Sequence, residues 1–293
     1  MAGNKKTSVD QQQADEKPSE ELRAVSENED RENLSGKLLT KRVPLASIGE
    51  VGFDNLCNAN RLAPDSDETI IRYSDITRDR ETVVLKREFL DGATLQQIEN
   101  EWCLESALEL IRQVIQVSAR YHAQGLVHQN LKPSNVLKSA DGNVELLDGL
   151  WAPTAAGFKQ DSERSLDYLS PEQLGLIKAD VGPTTDLYST GVMLFELLSG
   201  ASPRAISDDE FELESLLKPI PSLRSLGIAV PVCVDELIHR LTATAPEARY
   251  QTATAVEQDL SLILDSLQGS EDEYVSVTLG TTDARRRLLN PVS

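Results

Sequence analysis

Lys132 and Asn135 stand three residues apart in the run His128-Gln129-Asn130-Leu131-Lys132-Pro133-Ser134-Asn135. Thirteen residues beyond Asn135, Asp148 closes the apolar stretch Val144-Glu145-Leu146-Leu147. A lysine, an amide oxygen and a carboxylate in that order suit the metal and terminal phosphate of a nucleotide. Oxygen donors match Mg2+, which takes phosphate oxygens to complete its shell. Competing chemistries are poorly served. Cys57, Cys103 and Cys233 have no metal-ligand spacing, His122 and His239 have no Cys or His partners at ligand spacing, and no Ser-His-Asp or Cys-His layout stands out.

Those groups need a scaffold, and the hydropathy pattern supplies one. Ahead of the loop, Leu108, Ile111, Ile115 and Ser118 recur at helical spacing with Leu110, Val114 and Tyr121 beside them, predicting a helix over Leu104–Gln124 ended by Gly125. Val136-Leu137 and Val144–Leu147 flank Asp141-Gly142, a hairpin signal. Upstream the chain is strand-like at Leu38–Val43, Thr69–Ile76 and Thr82–Leu85, the last running into Glu88-Phe89-Leu90-Asp91-Gly92. Downstream it reads as helices over Thr185–Ser199, Asp208–Leu217, Val234–Thr242 and Ala253–Leu267. Strands first and helices afterwards predict an α+β architecture.

The 293 residues suffice for one large domain or two lobes with tails. Residues 1–36 carry nine acidic and five basic side chains and no aromatic residue, and are expected to be a disordered acidic tail. Residues 268–293, with Arg285-Arg286-Arg287, are expected to be a flexible C-terminal tail. A net charge of −19 disfavours nucleic acid and anionic membranes and favours basic partners or plain solubility. No stretch of about 18 apolar residues predicts a membrane span. Three cysteines that cannot all pair suit a reducing cytoplasm, the expected location.

The central loop resembles the catalytic loop of eukaryotic-type protein kinases, written H-R-D-L-K-x-x-N and followed by D-F-G. Further segments in order extend the resemblance. Tyr168-Leu169-Ser170-Pro171-Glu172 resembles A-P-E, Thr185-Asp186-Leu187-Tyr188-Ser189 resembles the central buried helix, and Pro246-Glu247-Ala248-Arg249-Tyr250 resembles the late segment whose Arg pairs with the A-P-E Glu. The wording is most similar to bacterial Ser/Thr kinases of the eukaryotic type. The resemblance implies a bilobal kinase-like fold over residues 37–267, with a reduced β-rich N-lobe over about 37–87, a hinge at 88–92 and a helical C-lobe over 93–267.

By the same resemblance, Lys41, Lys132, Asn135, Leu137 and Glu88 are the nucleotide-binding candidates, and Asn135 and Asp148 the metal ligands. His128, Glu172, Asp186 and Arg249 are structural, Asp186 tying down the loop backbone and Arg249 pairing with Glu172. The departures matter equally. Asn130 stands where the family has the Asp that accepts the attacking hydroxyl's proton, so no catalytic residue is expected. D-F-G has become Asp148-Gly149-Leu150. No glycine-rich phosphate loop precedes Lys37, and Gly49-Glu50-Val51-Gly52-Phe53 lies too near the hinge to serve. Counting back from Ile70 puts Asn58 where the acidic partner of Lys41 belongs. Arg87, just before the hinge, lines the back of the adenine pocket as a candidate blocker, with Asp148 as one partner; the alternative is that it snorkels outward. Thr154, Ser162 and Ser165 are activation-loop hydroxyls. These features predict a catalytically impaired protein kinase acting as a signalling scaffold or regulator with a protein partner. An atypical ATP-dependent Ser/Thr kinase and a nucleotide-sensing switch without turnover are the alternatives. ATP and Mg2+ are the expected cofactors in those two, and the scaffold needs none.

Overall fold

The computed structural model describes residues 38–63, 70–98, 101–151, 163–203, 217–268 and 277–283. Three antiparallel strands open the fold: β1 (Leu38–Pro44), β2 (Tyr73–Arg78) and β3 (Thr82–Glu88), ordered β1-β3-β2. Period-two alternation buries Leu39 and Val43 on β1 and Val83, Leu85 and Arg87 on β3. The register sets Lys41 opposite Leu85 and Leu39 opposite Arg87. Lys41 and Arg87 therefore share the inward face as diagonal neighbours, with Tyr73 of β2 opposite Arg87.

Between β1 and β2 runs α1 (Leu45–Leu62). Ile48 and Leu56 are its buried apolar positions, on one face with Gly52 between them, and Ala63 is buried just past its end. Gly49 has φ +72° and kinks the helix, while Glu50–Phe53 continue it as helical backbone rather than forming a hairpin over phosphates. The strand expected at Thr69–Ile76 begins later, at Tyr73. Ile70 is instead buried as an irregular residue, and Ile71 N–H donates to the Tyr121 hydroxyl at 3.1 Å.

The second part is helical. α2 (Leu104–Ala123) buries nine residues along one face and stops at Gly125, whose φ of +71° turns the chain. A small sheet follows in the order β4 (Gly92–Thr94), β5 (Val136–Ser139), β6 (Val144–Leu146). Gly92 opens β4 rather than merely ending the preceding strand. A Cβ there would strike the Lys138 carbonyl, so only glycine lets the strands approach. α3 (Pro183–Ser199) is buried on every side from Thr185 to Phe195, the signature of a helix in the middle of a core. α4 (Val232–Leu241) and α5 (Ala253–Gln268) pack around α2 and α3.

The protein is thus α+β, with a small strand-rich lobe and a larger helical one. The helix expected at Asp208–Leu217, save Leu217 itself, lies outside the described residues, as do Thr154, Ser162, the Ser165 side chain, the N-terminal tail and Arg285–Arg287. Part of the expected C-terminal tail does not: residues 277–283 lie against α4 and α5.

Candidate functional site

The site sits where β1 and β3 face the segment from His128 to Trp151. Its floor is braced from below. Asp186, on the buried helix α3, accepts hydrogen bonds from the backbone N–H groups of His128 at 2.9 Å and Gln129 at 2.8 Å, and pairs with His122 Nε2 at 2.9 Å. Gln173 adds a donor to the Gln129 carbonyl at 2.7 Å. Gln129, Asp148 and Leu150 all have positive φ. Three non-glycine residues in that region store on the order of 1–3 kcal/mol each, which marks a segment held for a purpose.

Within the loop the side chains are knitted to each other. Asn130 is buried; its Nδ2 donates to the Asp148 carbonyl at 3.0 Å, and its own carbonyl accepts Asn135 Nδ2 at 2.8 Å. Leu147 N–H reaches the Asn135 carbonyl at 2.8 Å, tying the hairpin to the loop. His128 is fully buried, with its Nδ1 accepting the Asn130 N–H at 3.3 Å and its ring edge-on to Tyr121. Gly149 packs so closely on that ring that any Cβ would overlap it. Burial pushes the His128 imidazole below its usual range, which keeps it neutral.

Lys41 crosses from β1 to Asp148, with Nζ 2.7 Å from Oδ2. Asn58 is exposed on α1, away from this pair, so the cation's partner here comes from the loop instead of the helix. Burial works to raise the Asp148 carboxyl, but Lys41 and then Arg87 outweigh it and hold the group below the ordinary carboxylate range. Asp148 Oδ1 is buried and has no hydrogen-bond partner among the described residues. Among the described residues, Asn135 Oδ1 has only a long contact, 3.4 Å from Ser134 Oγ. These two oxygens fit a hard cation.

Arg87 is buried, its guanidinium donating to the Glu88 carbonyl at 3.1 Å and acting electrostatically on Asp148. It turns into the cleft and does not snorkel outward. The Glu88 side chain is exposed. Leu137 is buried, paired with Thr94 and Glu145 across the small sheet. Lys132 lines a cavity of about 630 Å3 with Trp102, Ser134, Tyr168 and Glu196. The structure therefore brings Lys41, Arg87, Asn130, Asn135 and Asp148 together and places Lys132 on an adjoining hollow.

Glu172 and Arg249 form a fully buried bidentate pair, at 2.7 and 2.9 Å. Arg249 also donates to the carbonyls of Ala243, Thr184 and Thr244, which satisfies all five guanidinium protons.

Two neighbours of Asp148 escaped the sequence reading. Tyr73 and Trp151 are buried beside it, and burial, followed by the Asp148 charge, pushes the Tyr73 phenol well up. Asn60 on α1 locks Tyr73 in place, accepting its N–H at 2.8 Å and donating to its carbonyl at 2.9 Å. Tyr73's place opposite Arg87 was the available signal, visible only once the β2–β3 register is known.

Comparison with known proteins agrees with this geometry. Residues 58–260, more than half of the chain, match the model of the protein kinase domain. That match begins inside α1, past Lys41. Serine/threonine-protein kinase PknL of Mycobacterium tuberculosis is 33% identical over 217 residues, 71% of this chain and 54% of that protein. A probable serine/threonine-protein kinase PknB of Lactococcus lactis is 30% identical over 222 residues, 73% of this chain and 35% of its own. Serine/threonine-protein kinase PrkC of Bacillus subtilis is 28% identical over 215 residues, 70% and 33% respectively. The matched region spans between a third and about half of the length of these relatives.

Proposed function

The chain belongs to the protein kinase domain family, and within it we infer that this member is catalytically impaired, acting as a signalling scaffold or regulator that holds a protein partner. Asn130 carries the reading. A neutral amide has no basicity with which to take a hydroxyl proton, and this one is committed: it is buried and donates to the Asp148 carbonyl. Losing general-base assistance costs typically about 10²–10⁴-fold in rate. Arg87 adds to the deficit by occupying the Glu88 carbonyl and contributing a second cation near Asp148, so the base end of the cleft is already filled by the protein.

The residues present fit Mg2+ in part, through Asp148 Oδ1 and Asn135 Oδ1. Bound there with a nucleotide, the ion would supply charge neutralisation at the phosphates. Lys41 orients the Asp148 carboxylate, and Asp186 keeps the loop backbone in register beneath it.

The test is incubation of the full chain with Mg2+, labelled ATP and a general protein acceptor, alongside thermal melting. The expected result is no transfer above background. Robust transfer that is abolished by Asp148→Ala would overturn the reading. A melting shift with ATP and no transfer would move it to a nucleotide-sensing switch. A second reading, an atypical ATP-dependent Ser/Thr kinase, is favoured by the Lys41–Asp148 pair and by relatives that are all named as such kinases. Phosphoryl transfer draws mostly on positioning and electrostatics, so a low residual rate is compatible with the retained groups.

A further inference from the structure

Residues Val277–Asp283, read Val-Thr-Leu-Gly-Thr-Thr-Asp, lie beyond α5 and beyond the residues that match the family model. They are nevertheless seated on the helical lobe by contacts typical of a core element. Leu279 is buried, and Val277 packs against the same apolar cluster. Gly280 N–H donates to Asp259 Oδ2 at 2.5 Å, the same oxygen that accepts the Tyr250 hydroxyl at 2.6 Å. Three residues on, the Asp283 carboxylate accepts Arg240 Nη2 at 2.8 Å and the Gln251 N–H at 3.2 Å. The Arg240 guanidinium is itself stacked over the Tyr250 ring, 4.1 Å from its centroid, so both halves of the seat are rigidly placed.

The contacts discriminate between positions. Gly280 has φ +69°, a backbone conformation that favours glycine, and a Cβ there would push on the Arg240 guanidinium. Leu279 fills apolar space and the buried Asp283 meets a half-buried cation, whereas Thr278, Thr281 and Thr282 face solvent. Asp259 is fully buried and its Oδ1 has no partner among the described residues, leaving acceptor capacity in the seat. An apolar anchor, a backbone N–H on a carboxylate and a carboxylate on an arginine are the elements of linear-peptide recognition.

We propose that the α4–α5 face is a peptide-binding site that reads Leu-Gly-x-x-Asp, occupied in cis by Val277–Asp283 and opened when a protein presenting that sequence displaces it. The site is remote from the Asp148 cleft and does not depend on whether the cleft turns over. Only eight residues separate Gln268 from Val277. Covalent attachment in the same chain keeps the segment near its seat, so it holds the seat against dilute competitors.

The experiment uses the full chain with Gly280→Val and Asp283→Ala together, which detaches the segment, and a labelled peptide covering residues 274–284 added in trans. Fluorescence anisotropy is expected to rise with this variant and to stay flat with the unaltered chain. Peptides carrying either substitution are expected to bind at least tenfold more weakly, as is the unaltered peptide when the detached chain also carries Arg240→Ala. Equal binding of altered and unaltered peptides, or none, would overturn the proposal. Should the double variant fail to fold, amide exchange of Gly280 in the unaltered chain decides. A protected amide whose exchange quickens when millimolar peptide bearing Gly280→Val is absent but unaltered peptide is present supports displacement. Exchange at the unstructured rate, or protection indifferent to the peptide, refutes it.

Discussion

At the scale of single residues, the cleft is a balance of charges that the protein has settled internally. Asp148 is matched by Lys41 in direct contact and by Arg87 nearby. Arg87→Met should therefore vacate the Glu88 carbonyl and raise affinity for ATP at least tenfold, read by calorimetric titration with and without Mg2+; unchanged heats would remove Arg87 as a blocker. Asn130→Asp alone should leave transfer near background, because the added carboxylate would lose the amide's bond to the Asp148 carbonyl and sit near that residue's charge. Away from the cleft, Arg249→Ala strips a buried carboxylate of its partner and should cost about 3–5 kcal/mol in urea unfolding. Much of this was readable in the chain, since His128, Asn130, Asn135 and Asp148 are close in sequence and their spacing forces proximity.

At the scale of elements, periodicity carried the long segments and local geometry the rest. The stripe from Leu108 to Tyr121 and the apolar run of α3 could be read because burial on a helix repeats at fixed intervals. The start of β2 could not, because Ile70 and Ile71 look like strand residues yet serve as a buried plug and a donor to Tyr121. α1 posed the opposite difficulty. Its glycines resemble a loop, and the burial of Ile48 and Leu56 eight residues apart on one face marks the helix. The joint between α1 and β2 rests on Asn60, whose side-chain amide imitates a neighbouring strand for Tyr73. Asn60→Ala strands a backbone donor and acceptor and should lower stability by about 1–3 kcal/mol. Asn58→Ala, on the exposed side, should change it by less than about 0.5 kcal/mol. Equal effects of the two substitutions in the same unfolding assay would contradict the assigned helix face.

At the scale of the whole molecule, acid should loosen the fold in two stages. His128 is held neutral, its pKa lowered by burial, so below about 6.5 the unfolded chain takes up a proton that the native state refuses. Stability then falls as pH falls. Asp148 and Glu172 have lowered carboxyl pKa values, so their contribution is complete above the ordinary carboxylate range and drains away as pH drops below it. Denaturation midpoints measured from pH 8 to pH 3 should show both stages, and His128→Asn, which retains an acceptor for the Asn130 amide, should erase the first. Asp186 adds a consequence in time. The backbone amides it holds lie 58 and 57 residues earlier in the chain, so the cleft floor cannot set until α3 has docked. Refolding should yield helices well before a rigid loop, because contacts between distant parts of a chain form slowly. In pulse-labelled hydrogen exchange the amides of His128 and Gln129 should be among the last to become protected, and newly made chains should pass through a stage with a finished helical lobe and an unfastened centre.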